Sequence, residues 1–373
     1  MIRVLHLFLW IVPGGGGIQA YRRGMLAAFA GDAEIRMLGA AVNPGADTGD
    51  FAESPHLGVR APRWRNLLSF GCHVWRMARR VDVVQIHGMY GPQFLLGALL
   101  CRIRRVPYIV NPHGGLSPWF QAQHALRKRA YLATLGGFLL RGGRCLLATS
   151  EPEAAWLMRR FPGTAVRLVH AGVEVPERPS VPISGNGSDR TLRLLYLGSF
   201  DPWKRIPLLV RAVAKLRAEG LDVRATVCGG GPAAQQRQVR DEVARLGLDR
   251  AVTLGGDVRG PDKLALLTQS HVFVLPSVTE GYSLALAEAL AQGLPAIITE
   301  GQGAAPEVRR HGCGTVIPAD DEPALVAALR RYGDPALRRE HALAAHRYAR
   351  EVLDLPRLRD SMTALYRELA AKR

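Results

Sequence analysis

Short apolar runs, each followed by a loop bearing glycine or proline and then by a helical stretch, recur along this chain, and the recurrence breaks once, between residues 176 and 190. That alternation is the strongest constraint on the fold. Strands separated by helices are joined by crossovers, so they lie side by side and parallel. In the first half the strand candidates are residues 4–11, 82–87, 107–112 and 145–150, with Ser150 placed to cap a helix that opens at Glu151 and Pro152. Residues 176–190 are rich in Pro, Gly and Ser without an apolar period, and read as a linker. The pattern restarts with strands at 192–197, 222–228, 252–254 and 271–276, separated by helices near 207–219, 233–246 and 262–269. The expected fold class is α/β, with parallel-sheet domains at residues 1–178 and 191–355, joined by a linker at 179–190 and facing a cleft. With 373 residues, each domain can bury its own core. The final stretch, 356–373, carries Leu358, Met362, Leu365, Tyr366 and Leu369 at helical spacing, which predicts a one-faced helix.

Charge and cysteine content narrow the function classes. The net charge is +17, and residues 54–150 hold 14 basic side chains against one acid, Asp82. A face of that kind attracts polyanions: nucleic acid, anionic lipid or a pyrophosphate-bearing acceptor. No nucleic-acid-binding motif accompanies it, so nucleic acid is not expected as a partner. Around residues 119–141, aromatics interleave with Arg127, Lys128, Arg129 and Arg141. Two readings of that stretch stand side by side: a helix at an anionic membrane interface, and a helix packed on the sheet with a solvated basic edge. The five cysteines are scattered, with no Cys-x-x-Cys pair, so neither a disulfide framework nor a zinc site is expected. Free thiols suit a reducing cytoplasm. The apolar N-terminus lacks a small-x-small cleavage site and reads as a first strand rather than a signal peptide, and the other apolar runs are too short to span a bilayer.

The most informative motif follows the strand at 271–276. Glu280 lies in a Glu-Gly-Tyr loop, Ser283 is a good N-cap, Gly293 is a good stop, and Glu288 sits one turn beyond Leu284, which predicts a helix over 284–292. Backbone N–H groups at Ser283, Leu284 and Ala285 then offer an anion site at the positive end of the helix dipole, flanked by two carboxylates. A nucleotide sugar fits that arrangement. The order strand, Pro-Ser turn, Glu-Gly-aromatic, small-residue helix, Gly-Leu-Pro, strand resembles the donor segment of the retaining GT-B glycosyltransferases of family 4, also called glycosyl transferases group 1. In that family a Glu-x7-Glu pair holds the donor, and Glu280 and Glu288 match it.

The resemblance extends along most of the chain and implies a GT-B fold of two Rossmann-like domains, with the C-terminal helix 356–373 packed back on the first. Gly198 and Lys204 match the family's Gly-Arg-x-x-x-x-Lys-Gly segment, in which the cations neutralise the donor pyrophosphate. Ser199 stands in place of the arginine and Arg205 in place of the last glycine. Either Arg205 supplies the second cation, or Lys204 and backbone N–H groups carry the charge alone. Gly229, Gly231 and Pro232 resemble the family's Gly-x-Gly-Pro turn, and the loop around Val258 its bed for the nucleotide base. Gly16 and Gly17 belong to a glycine loop that would border the donor phosphate. The Pro-His113-Gly-Gly-Leu-Ser-Pro segment resembles that of bacterial polysaccharide enzymes, as does the Thr149-Ser150-Glu-Pro-Glu153 segment, and His113 would face the donor sugar. His87 is a weaker candidate of the same kind.

What the resemblance implies is a cytoplasmic, hexosyltransferase-like enzyme moving a sugar from a UDP- or GDP-sugar to a glycan or polyprenyl-linked acceptor in cell-surface polysaccharide synthesis. It would be peripheral to the inner membrane if its basic face binds lipid. His113, Glu280 and Lys204 are the expected catalytic residues; Tyr282, Ser283, Leu284 and Glu288 join the glycines, Ser199, Lys204, Arg205 and Val258 in donor binding. No cofactor or metal is expected beyond the nucleotide-sugar co-substrate. A sugar-nucleotide epimerase and a catalytically weak GT-B scaffold are the alternatives.

Overall fold

A computed structural model of the chain describes residues 1–11, 17–32, 34–44, 63–181 and 191–371. The chain forms two compact units, Met1–Gly172 with Leu355–Arg373, and Val173–Asp354.

The first unit runs β1 (Ile2–Ile11), α1 (Gly17–Ala28), β2 (Ile35–Pro44), α2 (Arg63–Met77), β3 (Val83–His87), α3 (Pro92–Arg104) and β4 (Tyr108–Asn111). It continues through α4 (Pro118–Ala122), α5 (Ala125–Ala133), α6 (Leu135–Gly142), β5 (Cys145–Ala148), α7 (Glu151–Arg160) and β6 (Val166–Leu168). Its six strands lie in the order β2-β1-β3-β4-β5-β6, all parallel. Every residue of β3, β4 and β5 is buried, as a sheet covered by helices on both faces requires. Leu5, Leu7, Val84, Ile86, Val110 and Leu146 lie at the centre of the core. Ser150 caps α7 as expected, its hydroxyl accepting from Glu153 N.

The second unit runs β7 (Leu192–Leu197), a 3-10 turn (Pro202–Lys204), α8 (Ile206–Ala218), β8 (Val223–Cys228), α9 (Ala233–Arg245), β9 (Val252–Gly255), α10 (Gly260–Gln269) and β10 (Val272–Leu275). It continues through α11 (Leu284–Ala291), β11 (Ala296–Thr299), α12 (Ala305–His311), β12 (Gly314–Ile317), α13 (Glu322–Arg331), α14 (Pro335–Tyr348) and a π-helical turn (Ala349–Leu353). Its strands lie in the order β12-β11-β10-β7-β8-β9, again all parallel. Both sheets therefore have the α/β architecture the alternation called for.

The chain leaves the first unit at Gly172, ahead of the expected boundary at 178. Residues 173–181 are tied to the second unit by backbone groups: Ser180 and Val181 N–H donate to Gln292 O, Val173 N–H to Leu353 O, and Pro176 O is 2.8 Å from Nε2 of His346. Such bonds leave no side-chain periodicity to read. The remaining linker positions, 182–190, lie outside the described residues. The last helix, α15 (Leu355–Ala370), belongs to the first unit and packs on α1, β1 and β3. Its buried residues are Leu358, Met362, Leu365, Tyr366 and Leu369, the five set on one face by their spacing.

Candidate functional site

In a parallel sheet all the strands end at the same edge, and ligands bind there. In the second unit the loops at that edge are bonded to one another. Gly198 N–H donates to Cys228 O, Phe200 N–H to Gly230 O, Gly229 N–H to Gly256 O, Val278 N–H to Trp203 O and Gly303 N–H to Glu280 O. Glycine is required where these backbones touch. A Cβ on Gly229 would sit 1.8 Å from Gly198 O, and Gly229 has φ 149° besides; a Cβ on Gly231 would meet Phe200 N at 2.8 Å.

This interlock brings Lys204, at the end of the 3-10 turn after β7, against Glu280, in the loop after β10, where Nζ and Oε1 form a direct ion pair. Strands β7 and β10 are neighbours, so residues far apart in sequence meet over adjacent strand ends. The expected helix is α11. Ser283 caps it, its hydroxyl accepting from Leu286 N, and Gly293, with φ 79°, ends it. Glu288 is held by Lys263 of α10, Nζ to Oε1 2.6 Å, a pairing across 25 positions that no local motif marks. Tyr282 places its hydroxyl 2.9 Å from that of Tyr348, which in turn donates to the Glu307 carboxylate at 2.8 Å. Burial, then the Glu307 charge, pushes the Tyr282 phenol well above its ordinary 10.0.

Ser199 and Arg205 each meet a carboxylate. The Ser199 hydroxyl donates to Asp201, and the Arg205 guanidinium grips Asp320 at 2.6 and 3.1 Å on the exposed surface. Val258 lies in the loop between β9 and α10.

In the first unit Gly17 opens α1, while Gly16 falls outside the described residues. His113 follows β4 in a left-handed conformation, φ 52°, with Gly114 at φ 76° behind it. Two acceptors hold this turn. Asn111 Oδ1 accepts from His113 N–H at 3.1 Å, and Glu153 Oε1 from Gly114 N–H at 2.7 Å. The other oxygen of Glu153 accepts from Thr149 N–H and Oγ1 at 2.9 and 3.1 Å, so the Thr-Ser-x-x-Glu segment clamps the histidine loop to the end of β5. Burial raises the Glu153 carboxyl above its ordinary 4.5.

The His113 ring sits in a row of three. Its Nε2 is 2.9 Å from Nδ1 of His87, whose Nε2 is 2.9 Å from Nδ1 of His6. Burial pushes His6 and His113 down to about 3, and burial with the two neighbouring imidazoles pushes His87 well below 6.5. All three are neutral at pH 7. Nothing local in the sequence marks His6, which is one residue of a buried strand.

Two family models match: "Glycosyl transferase 4-like domain" over residues 16–172 and "Glycosyl transferases group 1" over residues 191–334. The chain is 27% identical over 317 residues to the lipopolysaccharide core biosynthesis mannosyltransferase LpcC of Rhizobium leguminosarum bv. viciae, covering 82% of this chain and 83% of that one. It is 25% identical over 225 residues to the GDP-mannose:cellobiosyl-diphosphopolyprenol alpha-mannosyltransferase of Xanthomonas campestris, covering 60% of this chain and 57% of that one. Alignments with the WcaL proteins of Salmonella typhimurium and Escherichia coli span 39% and 56% of those proteins, less than two thirds of their length. Among solved structures, Anabaena Alr3699/HepE in complex with UDP superposes with a TM-score of 0.78 at 17% identity, over 98% of this chain and all of that one. The two sheets are thus those of a GT-B protein, and the chain belongs to the GT-B glycosyltransferases.

Proposed function

We propose that this protein is a retaining glycosyltransferase that moves a hexose or related sugar from a UDP- or GDP-sugar to a glycan or polyprenyl-linked acceptor, in the synthesis of bacterial cell-surface polysaccharide. The observation that carries this reading is the Lys204–Glu280 pair, set among glycine-lined loops at the strand ends beside the capped N-terminus of α11. It combines a cation for a diphosphate with a carboxylate that can accept from sugar hydroxyls. The names of relatives point the same way: HepE binds UDP, and the Xanthomonas enzyme uses GDP-mannose and a diphosphopolyprenol acceptor.

On this reading the donor diphosphate lies on the N–H groups of Ser283, Leu284 and Ala285, with Lys204 against its outer phosphate. As the glycosidic bond to the diphosphate lengthens, charge builds on the leaving oxygens, and a fixed cation and helix dipole stabilise it most at that stage. The departing phosphate takes the proton of the incoming acceptor hydroxyl on the same face, so the anomeric configuration is retained. Glu280 orients the sugar, Glu288 the ribose, and His113 the sugar hydroxyls. Ser199 brings no charge, so Lys204 and the helix carry more of the diphosphate than in relatives with an arginine there. No step in this scheme calls on a metal.

A panel of UDP- and GDP-sugars, assayed for slow hydrolysis and for transfer to extracted polyprenyl-linked glycans, tests the proposal. Release of nucleoside diphosphate from one donor, with the product of α or β configuration matching that donor, supports it. Free epimerised sugar nucleotide without acceptor identifies an epimerase instead, and no binding of any donor by calorimetry identifies a scaffold.

A further inference from the structure

The three imidazoles of the first unit are strung in series across adjacent strands. His6 comes from β1, His87 from the last position of β3 and His113 from the loop after β4, and β1, β3 and β4 are neighbours in the sheet. Both N···N contacts are 2.9 Å, each joining Nδ1 of one ring to Nε2 of the next. The rings are clamped. Phe8 stacks on His87 with centroids 4.2 Å apart and planes 7° from parallel, and Tyr21 of α1 meets His113 edge-on at 4.9 Å. Among the described residues no hydrogen-bond partner is found for Nδ1 of His113, and no trio of His, Cys, Asp or Glu is arranged to hold a metal ion.

A neutral imidazole has one N–H and one bare nitrogen, and each contact between two rings needs one of each. His87 can therefore donate on one side only. If it donates from Nδ1, His113 accepts on Nε2 and must carry its own proton on Nδ1, while His6 donates from Nδ1. If it donates from Nε2, His6 accepts on Nδ1, and His113 must donate from Nε2, which leaves its Nδ1 bare. In either case all three rings carry the proton on the same kind of nitrogen.

We propose that His6 and His87 are positioning residues for His113: the chain commits Nε2 of His113 to the protein interior, makes Nδ1 the ring nitrogen it offers a ligand, and couples the donor or acceptor state of that nitrogen to a ring it does not touch. The consequence for transfer rests on His113 as a donor-site residue; the coupling itself does not. A ligand hydroxyl meeting His113 would thus encounter a nitrogen whose role is fixed beforehand, the preorganisation that positioning of a catalytic group requires.

The test is nitrogen-15 NMR on the full, ligand-free chain with ring-labelled histidine. In the wild type the signals of His6, His87 and His113 are expected to report one shared tautomer, and in His6→Phe the two ring nitrogens of His113 are expected to move toward a mixture although His6 does not contact it. Different tautomers within the wild-type trio would overturn the proposal with no variant needed. So would His113 signals that stay unchanged in both His6→Phe and His87→Phe. His6→Asn, which keeps a nitrogen near the position of Nδ1, serves if the phenylalanine variant does not fold, and it should leave the His113 signals closer to wild type. With an active donor in hand, His87→Phe should cost on the order of 100-fold in kcat/KM, and His113→Ala should add little in that background. Coupled NMR signals together with a fully active His113→Ala variant would uphold the chain and overturn the placement of His113 at the donor.

Discussion

Lys204 and Glu280, 76 residues apart, form an ion pair whose side chains are only 12% and 15% exposed. A pair this sheltered holds both side chains of the proposed donor site in place before a ligand arrives. It also separates two effects of mutation. Removing one partner strands the other charge, whereas removing both leaves an apolar contact, and the two changes differ in stability although each destroys the same site.

Lys204→Ala is accordingly expected to lower kcat/KM by about 100-fold or more, the scale for losing one preorganised charge at a leaving group. The cost in stability should be about 1 kcal/mol, because the pair is not fully desolvated. Lys204→Met combined with Glu280→Leu should recover the melting temperature without recovering transfer. Glu288→Ala should abolish most transfer while the fold stays intact, and Lys263→Ala, which frees Glu288 from its partner at 2.6 Å, should weaken donor binding less. Near wild-type rates in both Lys204→Ala and Glu288→Ala would remove the second-unit assignment.

Glu153 is expected to matter through the shape of the histidine loop. Its carboxylate accepts from Gly114 N–H, Thr149 N–H and Thr149 Oγ1, all buried. Glu153→Ala orphans two backbone donors, at about 1–3 kcal/mol each, and should lower the melting temperature by roughly 2–4 °C per kcal/mol in a unit of this size. Glu153→Gln keeps one acceptor oxygen and should lie between. Equal melting of Glu153→Ala and wild type in differential scanning calorimetry would show that the clamp is not needed.

The histidine row makes the fold sensitive to acid. His6 and His113 have folded values of about 3 against 6.5 when exposed, so the native state binds fewer protons than the unfolded one between those limits. Their contribution is complete above pH 6.5 and is lost as pH falls toward 3, with a slope of about 1.4 kcal/mol per pH unit for each. Glu153, raised by burial, acts in the opposite sense: its contribution is complete below its ordinary value and lost as pH rises through the folded one. The comparison that isolates the histidines is denaturant unfolding of wild type and His6→Phe between pH 7 and 5. Wild type should lose stability faster with acid, and parallel curves would contradict the burial of a neutral His6.

How much of this could be read in the sequence depended on how local each feature is. The helix after β10 was legible because cap, helix and stop are contiguous: the helix expected at 284–292 is Leu284–Ala291 with Ser283 at its N-cap. The strand β2, by contrast, carries Gly39, Ala40 and Ala41 and lacks the β-branched density that marks a strand, and β6 is three residues at a sheet edge. Pairings across the fold left no local trace. Lys263 with Glu288, Tyr348 with Glu307, and His6 with His87, 81 positions away, arise only when parallel strands and their helices are laid side by side. The same holds for Arg205. Its guanidinium pairs with Asp320, 115 positions away, a contact that nothing beside Lys204 in the sequence marks.

The outer helices of the first unit carry the remaining prediction. α3 packs against α2 and α6, and α6 against α5. This layer exposes Leu99 and Ile103 of α3, Leu126 of α5 (81% exposed), and Leu135 and Phe138 of α6. Arg102 lies over the Phe138 ring at 4.6 Å and Arg104 over Trp75 at 3.2 Å, so cations flank the apolar side chains. No described helix is long and apolar enough to cross a membrane. Apolar side chains ringed by arginine suit the headgroup boundary of an anionic bilayer, where each nearby Lys or Arg contributes about 1 kcal/mol. The full chain is therefore expected to sediment with vesicles of phosphatidylglycerol and phosphatidylcholine at low salt, and to release as salt shortens the screening length. Ile103→Glu with Leu135→Glu should weaken binding at every salt concentration, because it removes the apolar anchor and adds like charge to the lipid. Failure of the wild type to bind at low salt would leave the basic face as a solvated surface, and equal binding by the double variant would move the contact elsewhere on the unit.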